Sequence, residues 1–514
     1  MMILKQTLTV HTSRSLRDFF CLIFGANMID MKKYLILSLC FLTAGAFAQK
    51  PNKTAVTFSN TILAEDLRQH LFIVASPEME GRETGTAGQR KAAEYLKQQF
   101  SKLGLKPGNN GIYEQFYPVY KDTLIHSELM INGQTYQFGV DYGTSLNSVT
   151  TTQLYFSEVV YLSAADTTTD VKGKVVILAG RQPGFGELNK LYQRQPAAVI
   201  ITQQKIDQQS SSRTGRMYLN LFRSKQSPLS IRITEDLAKA LLGDDFAKAK
   251  EQSLETKTVS TELTIGFRKE IQTIQASNVL GVIEGTEKKD EWVIISAHYD
   301  HVGIINGQLH PGADDDGSGT VSVLELAEAF MKAKAAGKGP RRTILFLLVS
   351  GEEKGLWGSE YYSKHPVYPL NKTTIDINID MIGRKDDKLN SADSNNHVYL
   401  IGDDKLSTEL TRYTDSINTL YTKLILDRKY NDPKDPNRLY FRSDHYNFAR
   451  NGVPIVFFFD GIHKDYHKPS DTPDKINYDL YEKRVRLVFF LAWEAANRNN
   501  MFRRDKPLSD IPGR

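Results

Sequence analysis

The chain of 514 residues is long enough for two or three domains, and with 40% hydrophobic, 10% aromatic and 24% charged residues it has the make-up of globular protein. That balance excludes a disordered or fibrous chain. The formal net charge of +5 is small for this length and sits partly in the N-terminal segment, so it points neither to nucleic acid nor to a membrane surface.

From Met31 the stretch "MKKYLILSLCFLTAGAFAQK" has a basic start at Lys32 and Lys33, an apolar run from Tyr34 to Leu42, and the small-x-small ending Ala46-Phe47-Ala48 before Gln49. This is the pattern of a cleavable secretory signal, residues 31–48, with 1–30 an upstream extension and Met31 the start. The apolar run falls short of the roughly 20 residues a membrane-spanning helix needs, so no membrane span is expected in the mature chain. Both cysteines, Cys21 and Cys40, lie in or before this signal, which leaves the mature chain without disulfide or thiol chemistry. Leu39 stands where lipid attachment at Cys40 would want a small residue.

A polar stretch follows at about 49–58. The segment "GTAGQRKAAEYLKQQFSKLGLKPG" then carries Ala92, Leu96, Phe100 and Leu103 at helical spacing, with Gly104 as a stop. From about Asn110 to Arg268 the texture changes to β-like runs, "KGKVVILAG" and "AAVIITQ", then a strand and helix in "PLSIRITEDLAKALLG" with Thr234 as N-cap. No recognisable catalytic group lies among its polar residues. This region, 111–268, reads as a small β-rich α/β module inserted between a segment 59–110 and the main domain 269–500, with 501–514 as a tail.

From about Gln275 the strands are apolar, as in an α/β sheet buried on both faces. "WVIISAH" ends at His298, "TILFLLVSGEE" ends at Glu352 and Glu353, "IDINIDM" alternates like a half-buried strand up to Asp380, and "VPIVFFFDG" leads toward His467. Carboxyl ends of strands are where open α/β sheets bind ligands. With the triplet Asp314, Asp315 and Asp316 these residues supply imidazoles and carboxylates suited to zinc, and a pair of divalent ions would use them all. Single histidines and a Glu-Glu pair would each be unremarkable.

In order, "AHYDHVG", "PGADDDGSGT", "SGEEKGLWGS", "NIDMIGR", "RSDHYNF" and "YHKPSDT" resemble the di-zinc peptidases of metallopeptidase family 28, over roughly residues 60–110 and 270–495. The inserted segment resembles a protease-associated domain. The resemblance implies a three-layer α/β zinc-exopeptidase fold with a mostly parallel central sheet. It implies His298, Asp315 and Asp380 on one zinc, Asp315, Glu353 and His467 on the other, Glu352 as general base, and Asp300 as the carboxylate that orients His298. Ser443, Asp444, His445 and Tyr466 are expected at the substrate pocket. His301, His310 and His463 are further imidazoles near the motifs. The loop 427–442 is either a lid or a solvated loop. The activity implied is an aminopeptidase acting on peptides; glutamate-carboxypeptidase-like and glutaminyl-cyclase-like enzymes share the fold. The first would carry a further helical domain that the C-terminal part has no room for. A receptor-like relative without catalysis would have lost ligands, and all are present here.

Overall fold

The computed structural model describes residues 50–222 and 227–510. The signal expected at 31–48 and the extension 1–30 lie outside the described residues. Helices α1 (Lys53–Ser59) and α2 (Ala64–Val74) come first, so the polar stretch at 49–58 is mostly helical, with Ala55 and Ser59 turned inward. Helix α3 (Ala87–Leu103) is the amphipathic helix the spacing predicts. Its Ala92, Leu96 and Phe100 are buried, and Gly104 ends it in the left-handed region at φ 81°, where a residue without Cβ costs least.

Strand β1 (Glu114–Ile131) pairs antiparallel with the 27-residue β6 (Lys257–Ile283) from Glu114 opposite Val279 to Ile131 opposite Leu263. Between them run β2 (Thr152–Tyr161), β3 (Val175–Leu178), β4 (Ala198–Gln203), β5 (Leu229–Thr234) and α4 (Glu235–Leu242), with β2 to β5 parallel. Thr234 stands at the N-cap with extended backbone, but its hydroxyl caps no helix N–H. Val159, Ile177, Ile200, Ile231 and Leu237 join Leu129 and Ile265 of the long ribbon in a core separate from that of the remaining chain.

The second half follows as β7 (Lys288–His298), α5 (Gly319–Ala335), β8 (Arg342–Val349), α6 (Trp357–Lys364), β9 (Thr373–Ile379), β10 (His397–Ile401), α7 (His445–Ala449), β11 (Ile455–Phe459) and α8 (Tyr478–Asn497). The strand order is β10-β11-β9-β7-β8-β6, in which β11, β9, β7 and β8 are parallel and both flanking strands are antiparallel. Side chains alternate across the sheet. Val293, Ile295 and Ala297 of β7 pack with α1, α2, α3, α5 and α8, whereas Ile294 packs with α6 and α7 on the opposite face. The result is three layers with a mostly parallel sheet in the middle. Among the described residues no helix is long and apolar enough to cross a membrane.

Strand β9 departs from the half-buried strand that its alternation suggests, because all of its residues are buried. Ser296 of β7 donates one hydroxyl toward Asp376 Oδ1 at 2.7 Å and Asn378 Oδ1 at 3.0 Å, so the neighbouring strand replaces water as hydrogen-bond partner. Burial pushes Asp376 up to about 8.

Helix α5 buries a second acid. Glu325 is 1% exposed, neither carboxyl oxygen has a hydrogen-bond partner, and burial, with Glu328 and Asp66 adding, pushes it up to about 8. The folded chain therefore holds a proton that the unfolded chain releases above its ordinary value of 4.5, so this group's contribution is complete below that pH and lost as pH rises through about 8. Glu325→Gln should raise the melting temperature near pH 8 and leave it almost unchanged near the ordinary value of 4.5, as a pair of pH-resolved melting curves would show.

Candidate metal centre

Parallel pairing sets the carboxyl ends of β7, β8 and β9 side by side. His298, last in β7, pairs with Val349, last in β8, and Asp380 follows directly on β9. Glu352 and Glu353 lie in the turn after β8, the Asp triplet precedes α5, and the chain after β11 brings His467. The expected convergence is thus built by the sheet itself.

Asp315 lies in the middle. Its Oδ1 is 3.4 Å from His298 Nε2 and its Oδ2 is 3.0 Å from His467 Nε2. Asp380 Oδ1 is 3.6 Å from His298 Nε2, and Glu353 Oε2 is 3.0 Å from His467 Nε2. His301 is here as well, with Nδ1 2.9 Å from Glu353 Oε1 and 3.9 Å from Asp315 Oδ2. Proximity is not hydrogen bonding in this cluster. His298 Nε2, His301 Nδ1, His467 Nε2, Asp315 Oδ2 and Glu353 Oε1 are all buried atoms without a hydrogen-bond partner. They face a common space instead of one another. Atoms bonded to a tetrahedral zinc at about 2.0–2.2 Å stand about 3.3–3.6 Å apart, a spacing the observed separations bracket, so imidazole and carboxylate donors here fit zinc.

The charges explain why a cation belongs there. Burial acts to raise Asp315, but His298 and His467 outweigh it and hold the carboxyl well below its usual range. Burial acts to lower His467, but Asp315 and Glu353 push it up to about 10. Each acid demands a positive partner. Burial pushes Glu352 well above the ordinary carboxyl range, Glu353 and Asp380 add to this, and His298 opposes it.

The three aspartates have three different fates. Donor atoms of His298, Asp316 and Asp380 also fall within 4.8 Å of one another. Asp316, however, already accepts from three backbone N–H groups: His298 at 3.1 Å, Gly319 at 2.8 Å and Met381 at 3.2 Å. It ties the end of β7, the start of α5 and the residue after Asp380 together. Asp314 accepts from Gly383 N at 2.8 Å and faces His463 Nε2 at 3.1 Å, which accounts for His463 and separates it from the centre. Asp471 accepts from the N–H groups of Asp314 at 2.9 Å and Asp315 at 3.2 Å, so the "DT" that follows His467 steadies the triplet.

Asp300 accepts from Thr84 Oγ1 at 2.7 Å and from Glu352 N at 3.2 Å. Its carboxylate is 3.6 Å from His298 Nδ1, while its own carbonyl oxygen is nearer, at 3.2 Å. A cavity beside the centre is bordered by Asp315, Glu352, Asp380 and Tyr466, with Met381, Leu439, Phe457, Phe459 and Ile462 as an apolar wall and Arg442 at its edge. Ser443, Asp444 and His445 do not line it as expected. They are buried and bonded within the protein: Ser443 Oγ accepts from Asn378 Nδ2, Asp444 Oδ1 accepts from Ser359 Oγ, and His445 Nε2 meets Tyr440 O at 2.9 Å. Asp444 stands at the N-cap of helix α7 and His445 opens it, stacking on Phe457 at 4.5 Å. His310 follows the short strand Gln308–Leu309, its Nδ1 on Gln308 O. Met381 at φ 61° and His467 at φ 55° are among the non-glycine residues with left-handed backbone, one following Asp380 and one a donor itself. Such conformations cost about 1–3 kcal/mol and gather at functional sites.

Residues 278–492, the stretch that carries every donor just described, match the model of peptidase family M28. This stretch is a peptidase family M28 domain. A probable leucine aminopeptidase of Arthroderma otae is 30% identical over 233 residues, covering 43% of this chain and 58% of the relative, so the match spans little more than half of that protein. A probable leucine aminopeptidase 2 of Aspergillus oryzae is 26% identical over 512 residues, covering 92% of this chain and 90% of the relative. Among solved structures, an aminopeptidase from Aneurinibacillus sp. strain AM-1 superposes with TM-score 0.51 at 19% identity, over 87% of this chain and 97% of its own. BSAP, a zinc aminopeptidase from Bacillus subtilis, gives TM-score 0.50 at 20% identity, over 87% and 99%. These two likenesses show a shared fold over 87% of the chain.

Asp316 offers a direct test of how this M28 centre is held. Asp316→Ala leaves three buried N–H groups without an acceptor, at about 1–3 kcal/mol for each unsatisfied group. Denaturant unfolding should show a loss of several kcal/mol, whereas His467→Ala, at a 36% exposed side chain, should cost little stability.

Proposed function

We propose that this chain is an exported zinc-dependent exopeptidase, an aminopeptidase that removes N-terminal residues from peptides. His298, Asp315 and Asp380 would hold one ion and Asp315, Glu353 and His467 the other, with Asp315 giving one oxygen to each. The observation that carries this reading is the set of unpartnered imidazole and carboxylate atoms facing one space beside a cavity that Glu352 borders. The leucine aminopeptidase names of the fungal relatives agree with it. Zinc bound there would acidify water and polarise the scissile carbonyl.

The chain's own groups do the rest. Glu352, with Oε2 3.9 Å from His298 Nε2, would take the proton of the attacking water and return it to the departing amine. Its neighbour Glu353 points instead to His301 and His467, so adjacent residues divide the tasks of base and ligand. Asp300 would fix the His298 ring, being itself held by Thr84 and the Glu352 N–H. Leu439, Phe457, Phe459 and Ile462 would receive an apolar side chain of the leucine kind. Tyr466, whose hydroxyl accepts from Arg442 at 3.0 Å, would close one side.

Residues 111–268 would act as the inserted, protease-associated-like module that shapes access. Val119 and Ile274 of its ribbon, with Met217, pack in one cluster with Trp357, close after Glu353. Export would follow cleavage after Ala48, and Gln49 should be the N-terminal residue of the exported protein.

A panel of peptides with free and blocked ends tests the activity. Cleavage is expected only at free amino termini, fastest with apolar first residues; cleavage of N-blocked peptides from a free carboxyl end would make the enzyme a carboxypeptidase. Glu352→Gln should lower kcat by roughly 10²–10⁴-fold with zinc content unchanged. Asp315→Ala should lose both ions by elemental analysis, and Asp314→Asn should keep them.

A further inference from the structure

We infer that His301 is a further protein ligand on the Glu353 and His467 side of the centre, which makes that position a four-donor site of His301, Asp315, Glu353 and His467. The inference rests on the metallopeptidase reading above and adds to it an asymmetry between the two positions.

The ring of His301 is 0% exposed, and neither of its nitrogens has a hydrogen-bond partner. A buried polar atom left in that state has lost its water without gaining a partner. Packing histidines elsewhere keep unpartnered nitrogens as well, Nδ1 of His445 and both of His397, so what singles out His301 is the place of its Nδ1 beside Glu353 and Asp315. His301 Nδ1 is only 2.9 Å from Glu353 Oε1 yet is not aligned for a hydrogen bond to it. It shares this state with His467 Nε2, which lies 3.0 Å from both Asp315 and Glu353. The two rings meet edge to face, at 76° and 5.6 Å between centroids, so both nitrogens reach the same space without stacking.

The seat of the ring is built for it. A Cβ on Gly312 would lie 2.4 Å from His301 Cγ and 2.5 Å from Cδ2, and Gly312 has a φ of +58°, so glycine admits both the ring and the backbone there. Arg82 holds the two loops around the ring, donating to Tyr299 O at 2.8 Å and to Gly312 O at 2.8 Å.

Zinc sites with four protein ligands are closed and retain their ion, whereas catalytic positions keep a place open. With His301 the Glu353 side has four donors. The other side has His298, Asp315 and Asp380, and Glu352 faces it at 3.9 Å from His298 Nε2. The ion on the His298 side is therefore the exchangeable one, and the ion on the His301 side is the retained one.

The test withdraws zinc stepwise from the loaded full-length protein with graded dipicolinate, following metal content by elemental analysis and the retained ion by zinc-edge X-ray absorption. Wild type should lose one ion at a chelator level at least about tenfold below that needed for the other, and the ion left behind should show two imidazoles. In His301→Ala and His301→Gln the two losses should merge and the last ion should show one imidazole, with circular dichroism confirming a folded chain. An unchanged imidazole count in both variants would overturn the ligand role and leave His301 as a group that orients Glu353. Wild type that holds no zinc at all would overturn the metallopeptidase reading and this inference with it.

Discussion

Buried negative charge is the constraint around which the centre is arranged. Carboxylates placed next to one another out of water pay for desolvation and for mutual repulsion, and each needs a positive or hydrogen-bonding partner. Partners of different kinds are assigned. Asp316 and Asp471 take backbone N–H groups, and Asp314 takes a backbone N–H and His463. Asp315, Glu353 and Asp380 are left facing imidazoles. The acids that the backbone satisfies are those that hold the loops, and the acids that it leaves unsatisfied are those aimed at the centre.

The sheet makes that division possible. Parallel strands end together, so the residues just beyond His298, Val349 and Ile379 enter one space from neighbouring positions. Arg82, wholly buried, then reaches four carbonyl oxygens, those of Val74, Tyr299, Pro311 and Gly312, and fastens the end of α2 to the loops on either side of the centre. One guanidinium with several fixed donors does here what several separate turns would otherwise do.

Much of this is legible in the order of residues. The apolar runs mark β7, β8, β9 and β11, and the residues after each run are the ones that meet. What stays hidden depends on partners from elsewhere in the chain. The polar alternation of β9 signals water, because nothing local reveals that Ser296 on the next strand will bind Asp376 and Asn378. Helix α1 is too short to show a period and is shaped by packing of Ala55 and Ser59. Ser443, Asp444 and His445 sit in a motif rich in functional residue types, yet all three are buried and take partners from elsewhere in the protein. His301 is spelled out three residues after His298, but only the ring's lack of any hydrogen-bond partner separates it from His310 and His463, which have theirs.

The ribbon of β1 and β6 explains how so large a segment can stand between helix α3 and the sheet of the second half. Glu114 and Val279 are opposite one another in a ladder, so the chain leaves the main sheet and returns to it at neighbouring points, roughly 5 Å apart. Closing a loop whose ends are already paired costs little more as the loop lengthens, about 0.6 kcal/mol for each doubling. To the sheet of the second half the whole stretch from β1 to β6 is thermodynamically a hairpin turn, free to differ in length and content while the strands beneath it stay in register.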